Sequence, residues 1–252
     1  MVTRKELCNF LDELLDTKNC EDVSNNGLQV EGAQEIKRVV FGVDACMALF
    51  EKAAEVRADF VFVHHGLSWK DSLKYLTGLN ARRVGCLFDH NISLYAAHLP
   101  LDRHEIHGHN KCISDKLGLL NVVPYFEYNG VTIGFRGELP QELELDRLTA
   151  LVNKLLQADA RSVKARNAPV KSVGIVSGGA ADAVEESALL GLDCFITGEM
   201  DHAHYHAALE SGIDVISAGH YRTEVPGVKA VMELLSERFN IECDFVDIPT
   251  GF

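Results

Sequence analysis

The chain has 252 residues with a formal net charge of −13 at pH 7, and 47% of its residues are hydrophobic. That length allows one large domain or two small ones, each able to bury a core. The 24 lysines and arginines form no runs, so we expect no nucleic-acid partner. The seven cysteines form no CxxC pair and no apolar stretch is long enough to cross a bilayer, so we expect a cytoplasmic protein with free thiols and no membrane partner.

The first predicted element is an amphipathic helix. Thr3 and Glu6 have the spacing of a capping box, and apolar residues recur at helical period as far as Leu15. After a loop at residues 24–27, short β-rich runs alternate with helical stretches, which is typical of βαβ units with a largely parallel sheet. Residues 125–135 then predict a β-hairpin that turns at Asn129–Gly130, and residues 143–156 predict an amphipathic helix.

Two parts of the sequence resemble each other. RVVFGVDA at 38–45 matches SVGIVSGG at 172–179, and ADFVFVHHG at 58–66 matches LDCFITGEM at 192–200, both at a shift of 134 positions. After a gap, SLYAAHLPLD matches VISAGHYRTE, which aligns His98 with His220 and Asp102 with Glu224. Chance can produce one such match, but three agree in order.

We therefore predict an α/β protein of two similar α/β domains related by internal duplication, with mixed, mostly parallel sheets and flanking helices. The N-terminal half spans residues 1–125, and the C-terminal half spans residues 126–252.

Histidines and acidic residues follow the predicted strands. His64 and His65 come directly after the apolar run at 60–63, and Gly66 lets the chain turn, so both imidazoles could reach one site. The other candidates at predicted strand ends are His98, Asp102, Glu199, His220 and Glu224. Ligands bind beyond the carboxyl ends of parallel strands, so all these side chains lie at the edge of the sheet where sites form.

Imidazoles and carboxylates without thiolates suit divalent ions such as zinc, manganese or iron(II) at a site with open positions. Two carboxylates also suit a closely spaced pair of ions, because a carboxylate can bridge both ions. A single histidine at a strand end is more often a surface or core residue than a ligand. Paired histidines at one strand end, together with two His-x-x-x-carboxylate ends, favour a metal site.

Other polar and aromatic residues are weaker candidates. Each of two further histidine clusters contains i, i+2 spacings, which would not place all of its members on one helix face. We therefore expect most of them to be solvated, with His202 kept as a candidate because it follows Glu199. These clusters are His104, His107 and His109, and His202, His204 and His206. Trp69 either walls a pocket or, as we expect, simply packs, and Asn26 either belongs to a turn or touches a substrate.

The segments NNGLQVEG, VFVHHG, AAHLPLD, ITGE and AGHYRTE resemble the NIF-three-like dinuclear metal centre family, also labelled GTP cyclohydrolase I type 2 homologues. The resemblance runs nearly end to end and is to the short form without a central insertion. It implies two divalent metal ions per subunit, zinc, iron or manganese, held between the halves, with Asp102 and Glu224 as bridging ligands. The implied metal ligands are His64, His65, Asp102, His220 and Glu224. The resemblance also places His98 and Glu199 close by and implies a toroidal homohexamer.

We expect a metal-dependent hydrolase with a small-molecule substrate, in which two ions lower the pKa of a water and His98 or Glu199 moves protons. The family label suggests a purine nucleotide, but the sequence has few clustered cations to bind a triphosphate, and phosphoester or amide hydrolysis suits the ligands equally. The alternative is a non-catalytic metal-holding or protein-interaction hexamer, whose ions stabilise the assembly.

Overall fold

The computed structural model describes residues 1–251. Its helices are α1 (Arg4–Leu15), α2 (Met47–Glu55), α3 (Gly78–Asp89), α4 (Leu99–Asp102), α5 (His109–Lys116), α6 (Leu145–Leu156), α7 (Ala183–Leu189), α8 (Tyr205–Ser211), α9 (His220–Thr223) and α10 (Val225–Phe239), with a 3-10 turn at Thr17–Asn19. Its strands are β1 (Val2–Thr3), β2 (Gly27–Val30), β3 (Glu35–Ile36), β4 (Arg38–Asp44), β5 (Phe60–His65), β6 (Ser93–Ala96), β7 (Leu120–Tyr128), β8 (Val131–Leu143), β9 (Arg161–Val163), β10 (Val170–Val176), β11 (Cys194–Thr197), β12 (Asp214–Ser217) and β13 (Glu242–Phe245). Within this described part of the chain, every helix is too short or too polar to span a bilayer.

Helix α1 begins where the sequence predicts. The Thr3 hydroxyl accepts a hydrogen bond from the Glu6 amide at 3.2 Å, and the Glu6 carboxylate accepts one from the Thr3 amide at 3.0 Å. These reciprocal bonds satisfy donors that an uncapped first turn would leave without partners. The predicted capping box is confirmed.

The hairpin in the middle of the chain is longer than the sequence predicted. Strands β7 and β8 pair antiparallel and turn at Asn129 and Gly130, whose φ values of 50° and 78° suit a tight turn between twisted strands. The helix predicted at 143–156 is α6, which buries Leu145, Leu148 and Val152 along one face. The predicted turn and helix are both confirmed, although β8 continues to Leu143.

The chain forms two compact units. Unit 1 contains Met1–Leu101 and Val228–Ile248, and unit 2 contains Asp102–Gly227 and the residues from Pro249 onward. These bounds differ from those of the predicted halves, 1–125 and 126–252, because unit 2 begins at Asp102 and residues Val228–Ile248 belong to unit 1. The division into duplicated halves stays a prediction.

Unit 1 is built on a sheet with the strand order β13-β4-β5-β6-β2, in which β13, β4, β5 and β6 run parallel and β2 is antiparallel to β6. Alternate residues of the strands enter two different cores. Phe41 and Phe62 pack in the core with α1 and α10, whereas Val40 and Val61 pack in the core with α2 and α3. Burial on both faces explains why these strands are nearly continuous apolar runs.

Unit 2 is built on a sheet with the order β7-β8-β10-β11-β12-β9. Strands β10, β11 and β12 are parallel, whereas β8 and β9 flank them antiparallel. The buried face of α6 packs in a core with Val173, Ile196 and Ile216 from the parallel strands. The predicted α/β class with mixed sheets and flanking helices is confirmed.

Candidate functional site

The parallel strands of unit 1 end in a row of polar side chains. Asp44 is the last residue of β4 and pairs in register with His65, the last residue of β5. His64 precedes His65 within the same strand, and His98 lies two residues beyond the end of β6. Because neighbouring parallel strands end at the same edge of a sheet, these four side chains are brought together there.

Three imidazoles form a compact group at this edge. The ring centroids of His64 and His65 lie 4.5 Å apart, and those of His64 and His98 lie 5.1 Å apart. One ring nitrogen from each histidine lies within 4.8 Å of the other two. The sequence argument took both histidines to follow the strand, whereas β5 includes them, and their rings still meet. We call His64, His65 and His98 the tri-histidine group.

Each ring of the group is anchored through Nδ1. His64 Nδ1 donates to the carbonyl oxygen of Ala97 at 2.8 Å, and His65 Nδ1 donates to Asp44 Oδ1 at 2.8 Å. His98 Nδ1 donates to the Asp22 carboxylate at 2.9 Å. A neutral imidazole that donates through Nδ1 carries its lone pair on Nε2, so all three rings have the tautomer that coordinates a cation through Nε2.

Trp69 and Gln29 shape the turn that follows the paired histidines. Gln29 Oε1 accepts hydrogen bonds from the amides of Leu67 and Ser68 at 2.7 and 3.0 Å. A Cβ atom at Gly66 would lie 2.4 Å from the same Oε1, so only glycine fits there. The Trp69 ring lies 4.9 Å from the His98 ring, centroid to centroid, and its Nε1 donates to the Gly66 carbonyl at 2.8 Å. Trp69 therefore both packs and borders the group.

Unit 2 places a histidine between two glutamates. His220 Nδ1 lies 2.7 Å from Glu199 Oε1, and His220 Nε2 lies 3.2 Å from Glu224 Oε1. Burial lowers the pKa of His220, but hydrogen bonds and charge from Glu224 and Glu199 outweigh that effect and raise it to about 9. Without a bound cation, His220 is therefore protonated at neutral pH and donates to both carboxylates.

Gly178 makes room for the Glu224 carboxylate. This residue has a φ of 71°, and a Cβ atom on it would lie 2.5 Å from Glu224 Oε1. Its amide donates to Thr223 Oγ1 at 3.0 Å, which connects the loop after β10 to the end of α9. The Glu224 side chain is 4% exposed.

Asp102 lies in a second buried polar cluster of unit 2. The Asp102 carboxylate accepts a hydrogen bond from Ser177 Oγ at 3.2 Å, and one of its oxygens lies within 4.8 Å of a ring nitrogen of His109. His109 Nδ1 accepts from the Gly227 amide at 3.1 Å, so the neutral ring carries its proton on Nε2. His109 can therefore donate from Nε2, which suits a residue that supports the Asp102 carboxylate.

The structure brings predicted site residues together within each unit. His64, His65 and His98 form one group in unit 1, and Glu199, His220 and Glu224 form another in unit 2. The expectation of solvated histidines was wrong for His109, which is fully buried. It was correct for His206, which is exposed, and His202, which was kept as a candidate because it follows Glu199, is exposed too.

Sequence reasoning missed two carboxylates, Asp22 and Asp44. Asp44 carried a usable signal, because it ends the strand next to β5. Asp22 carried none, because it lies in a loop and is 76 residues from the histidine it holds. Asn26 is structural, since its Oδ1 accepts from the His98 amide at 2.8 Å and its Nδ2 donates to Asp22 at 2.8 Å.

The donors of both units fit divalent cations. Imidazole nitrogens and carboxylate oxygens are the ligands of zinc, manganese and iron(II) sites. Histidine ligands of such metals are usually backed by a carboxylate or a carbonyl, as His64, His65 and His98 are. The protein therefore contains candidate metal-binding clusters of histidine and acidic residues.

Comparison with known proteins gives full-length matches. Residues 2–250 match the family described as Duf34/NIF3 (NGG1p interacting factor 3). The "GTP cyclohydrolase 1 type 2 homolog" of Pyrococcus abyssi is 41% identical over 98% of this chain and 99% of its own length. Because such relatives are covered almost completely, the match is to the form without a central insertion.

Solved structures agree with the sequence comparison. A protein named ybgI, described as of unknown function, shares 32% identity with a TM-score of 0.94, and both chains are covered completely. A protein from Thermus thermophilus shares 38% identity with a TM-score of 0.89, again with both chains fully covered. The chain belongs to the Duf34/NIF3 family, the family of the GTP cyclohydrolase 1 type 2 homologs.

Proposed function

We propose that the protein binds two divalent cations through His64, His65, Asp102, His220 and Glu224 and acts as a metal-dependent hydrolase. The observation that carries this proposal is the anchoring of every ring of the tri-histidine group through Nδ1. Imidazoles held in the same tautomer at one edge of the sheet form a set of nitrogen donors prepared for a cation. The acidic residues of unit 2 supply the negative charge that two cations need.

Bound divalent cations supply Lewis acidity and lower the pKa of a water. The chain itself supplies orientation and proton acceptors. Of the two predicted proton carriers, Glu199 suits the task better, because its side chain is 49% exposed while it holds His220. A proton taken up by that carboxylate can pass to solvent.

We propose a small-molecule substrate of the nucleotide type. Support comes from relatives named "GTP cyclohydrolase 1 type 2 homolog" that match this chain over nearly their whole length. Nucleotides therefore come first in a substrate screen, followed by phosphoesters and peptides. Assembly as a toroidal homohexamer and a cytoplasmic location stay predictions.

We further propose that the parallel cores of the two units arose by duplication. Asp59 Oδ2 accepts from the amides of Lys37 and Arg38 at 2.7 and 3.0 Å. Asp193 Oδ2 accepts from the amides of Lys171 and Ser172 at 2.9 and 2.8 Å. The aspartate and the two residues whose amides it accepts in unit 1 each lie 134 positions before their counterparts in unit 2, the same shift as in the sequence match. The shared contact therefore supports the duplication independently of residue identity.

The helix ends repeat at the same shift. The Ala58 amide donates to the Ala53 carbonyl at 2.8 Å, and the Leu192 amide donates to the Ser187 carbonyl at 3.1 Å. The residues before these amides, Arg57 and Gly191, are both left-handed with φ values of 56° and 70°. A shared left-handed helix end with different residues supports common descent of the two βαβ units.

The test is a screen of purified protein of known metal content against nucleotides, phosphoesters and peptides. The double variant His64→Ala, His65→Ala is the control, and we expect it to lose both metal and turnover. Hydrolysis that persists in the double variant overturns the metal-dependent mechanism.

Glu224→Ala separates catalysis from a purely structural role of the metals. If the protein is a hydrolase, Glu224→Ala keeps its fold and loses turnover. A metal-holding protein shows instead a lower melting temperature or a dissociated assembly, with no activity to lose. Turnover and melting temperature of the same samples therefore decide between the two functions.

A further inference from the structure

A small cavity lies at the amino-terminal edge of the unit 1 sheet, the edge opposite the tri-histidine group. It is formed where α2 and α3 end and where β5 and β6 begin, and its volume is about 180 Å³. Pockets for drug-sized ligands measure about 300–1,000 Å³, so this cavity suits a much smaller molecule. Its lining residues are Ala54, Arg57, Ala58, Asp59, His90 and Asn91.

The wall of this cavity carries one positive and one negative charge that do not pair with each other. Within residues 1–251, the Arg57 guanidinium forms no hydrogen bond or ion pair. Asp59 accepts the amides of Lys37 and Arg38 through Oδ2 alone, and Oδ1 accepts no hydrogen bond from the described residues. A guanidinium and a carboxylate oxygen are therefore both available to a ligand.

The remaining polar groups of the wall are mostly acceptors. His90 Nδ1 donates to the Cys86 carbonyl at 2.9 Å, so the neutral ring presents Nε2 as an acceptor. The amide of Asn91 can donate or accept, and the ends of α2 and α3 carry partial negative charge. These acceptors suit an ammonium group, whereas the planar guanidinium of Arg57 suits a carboxylate.

Two of the polar side chains belong to residues with a left-handed backbone. Arg57 and Asn91 both have a φ of 56°, whereas the corresponding helix ends of unit 2 have glycines, Gly191 at 70° and Gly212 at 67°. In both units the next amide closes the helix end in the same way. Glycine is the residue that fits such a position without strain, and strained side chains are concentrated at ligand sites. The strained Arg57 of unit 1 lines the cavity, which agrees with a role in binding.

We propose that this cavity binds a small α-amino acid as a zwitterion, with its carboxylate on Arg57 and its ammonium group on Asp59 and His90. A simple anion would pair with the guanidinium and be repelled by Asp59, and a simple cation would meet the reverse. Only a ligand with both charges satisfies both walls. The cavity is at the opposite edge of the sheet from the proposed metal ligands of unit 1, so this ligand is distinct from the substrate of the proposed hydrolase.

The experiment is titration calorimetry of the metal-free full-length protein with glycine, alanine and serine. Removing metal is necessary because α-amino acids chelate divalent cations. We expect saturable binding of serine. N-acetylserine lacks the ammonium group and serine methyl ester lacks the carboxylate, so each should bind at least about tenfold more weakly, as the loss of a charge-assisted contact predicts. N-acetylserine or inorganic phosphate that binds as tightly as serine would show a plain anion site and overturn the inference.

Two glycine variants test the wall. Arg57→Gly and Asn91→Gly introduce the residue that unit 2 has at the same helix ends, so the backbone accepts both changes. Serine affinity should fall at least about tenfold in Arg57→Gly and less in Asn91→Gly. Arg147→Ala is the control, because it removes an equally exposed arginine from α6 of unit 2 and should leave the affinity unchanged. Affinity within twofold of wild type in Arg57→Gly contradicts the proposal.

Thermal unfolding gives a second measurement of the same binding. Serine should raise the melting temperature of the wild type and of Arg147→Ala, and should leave that of Arg57→Gly unchanged. Binding that disappears in His64→Ala, His65→Ala would place the amino acid at the candidate metal ligands and overturn the inference. The absence of saturable binding by glycine, alanine and serine would overturn it too. All these results leave the proposed hydrolase function intact, because none of them measures turnover or metal.

Discussion

The two units share a scaffold and differ at its edge. In each unit, an aspartate accepts hydrogen bonds from two amides near the start of a parallel strand, Asp59 at β4 in unit 1 and Asp193 at β10 in unit 2. At the other ends of the strands, unit 1 presents imidazoles, whereas unit 2 surrounds one imidazole with glutamates. The two units share hydrogen bonds that define the backbone, and their chemistry differs at positions that do not define it.

Two aligned positions show where the units differ. Asp44 in unit 1 corresponds to Gly178 in unit 2, and His65 corresponds to Glu199. In unit 1 the Asp44 carboxylate supports the His65 ring, whereas in unit 2 Gly178 has no side chain and leaves room for Glu224. The Glu199 carboxylate supports His220 from the position where unit 1 has a candidate ligand.

Gly178→Ala should have the largest effect, because it fills the space that distinguishes unit 2. A left-handed alanine and a displaced buried Glu224 together should cost about 2–3 kcal/mol of unfolding free energy. Gly191→Ala is the control, since Gly191 has a similar φ of 70° with open space around its Cβ. Chemical denaturation should show a loss of about 1 kcal/mol there. Equal losses in the two variants would contradict the steric account.

Asp44→Ala should come next and affect metal binding more than folding. Loss of the Nδ1 anchor frees the His65 ring, and we expect metal affinity to fall about 10–100-fold. Asp44→Asn keeps an oxygen acceptor for Nδ1–H, so its metal affinity should fall less. Competition with a chelator measures both variants, and an affinity unchanged in Asp44→Ala would show that the His65 ring needs no support.

Asp193→Ala and Asp59→Ala test the shared scaffold. Asp193 also accepts from Ser172 Oγ and pairs with Arg166 at 2.6 Å, so its loss should cost about 2 kcal/mol against about 1 kcal/mol for Asp59. Burial raises the pKa of Asp193, but hydrogen bonds from Ser172 and Lys171 and the charge of Arg166 outweigh that and lower it. Its contribution is therefore complete above the unfolded value of 3.8 and is lost as pH falls through the lower folded value.

Urea denaturation near neutral pH and near pH 3 checks both statements about Asp193. The difference between wild type and Asp193→Ala should shrink at the lower pH. A difference that grows at the lower pH would mean that the pKa of Asp193 in the folded protein is raised and not lowered.

Arg57→Gly should have the smallest effect. Arg57 is left-handed where unit 2 has Gly191, so glycine should relieve backbone strain and stabilise the protein by at most about 1 kcal/mol. Thermal unfolding should show a slightly higher melting temperature. A clear destabilisation would mean that the Arg57 side chain contributes contacts that outweigh the strain.

The sequence predicted the elements whose signals are local. The capping box at Thr3, the turn at Asn129–Gly130 and helix α6 each depend on residues within a few positions of one another. The edge that holds His64, His65 and His98 was also predictable, because parallel strands must end together.

Contacts between distant residues escaped sequence reasoning. Asp22 and His98 are far apart in the chain, and nothing near Asp22 indicates its partner. His109 was misjudged for a different reason. The argument from alternating spacing assumed one helix, whereas α5 begins at His109 itself, so His104 and His107 precede it in a loop. A residue at the first turn of a helix can be buried while its neighbours are exposed.

Asp22 and Asn26, which hold His98, lie just before the edge strand β2 in the chain, so local opening of this edge would disturb the tri-histidine group. Strand β2 is only four residues long and pairs with β6 alone within the described sheet. If this edge frays, His98 loses its anchors while the core strands stay closed. We expect a cation bound at this edge of the sheet to disfavour fraying, so amide exchange in residues 22–30 should slow as metal is added.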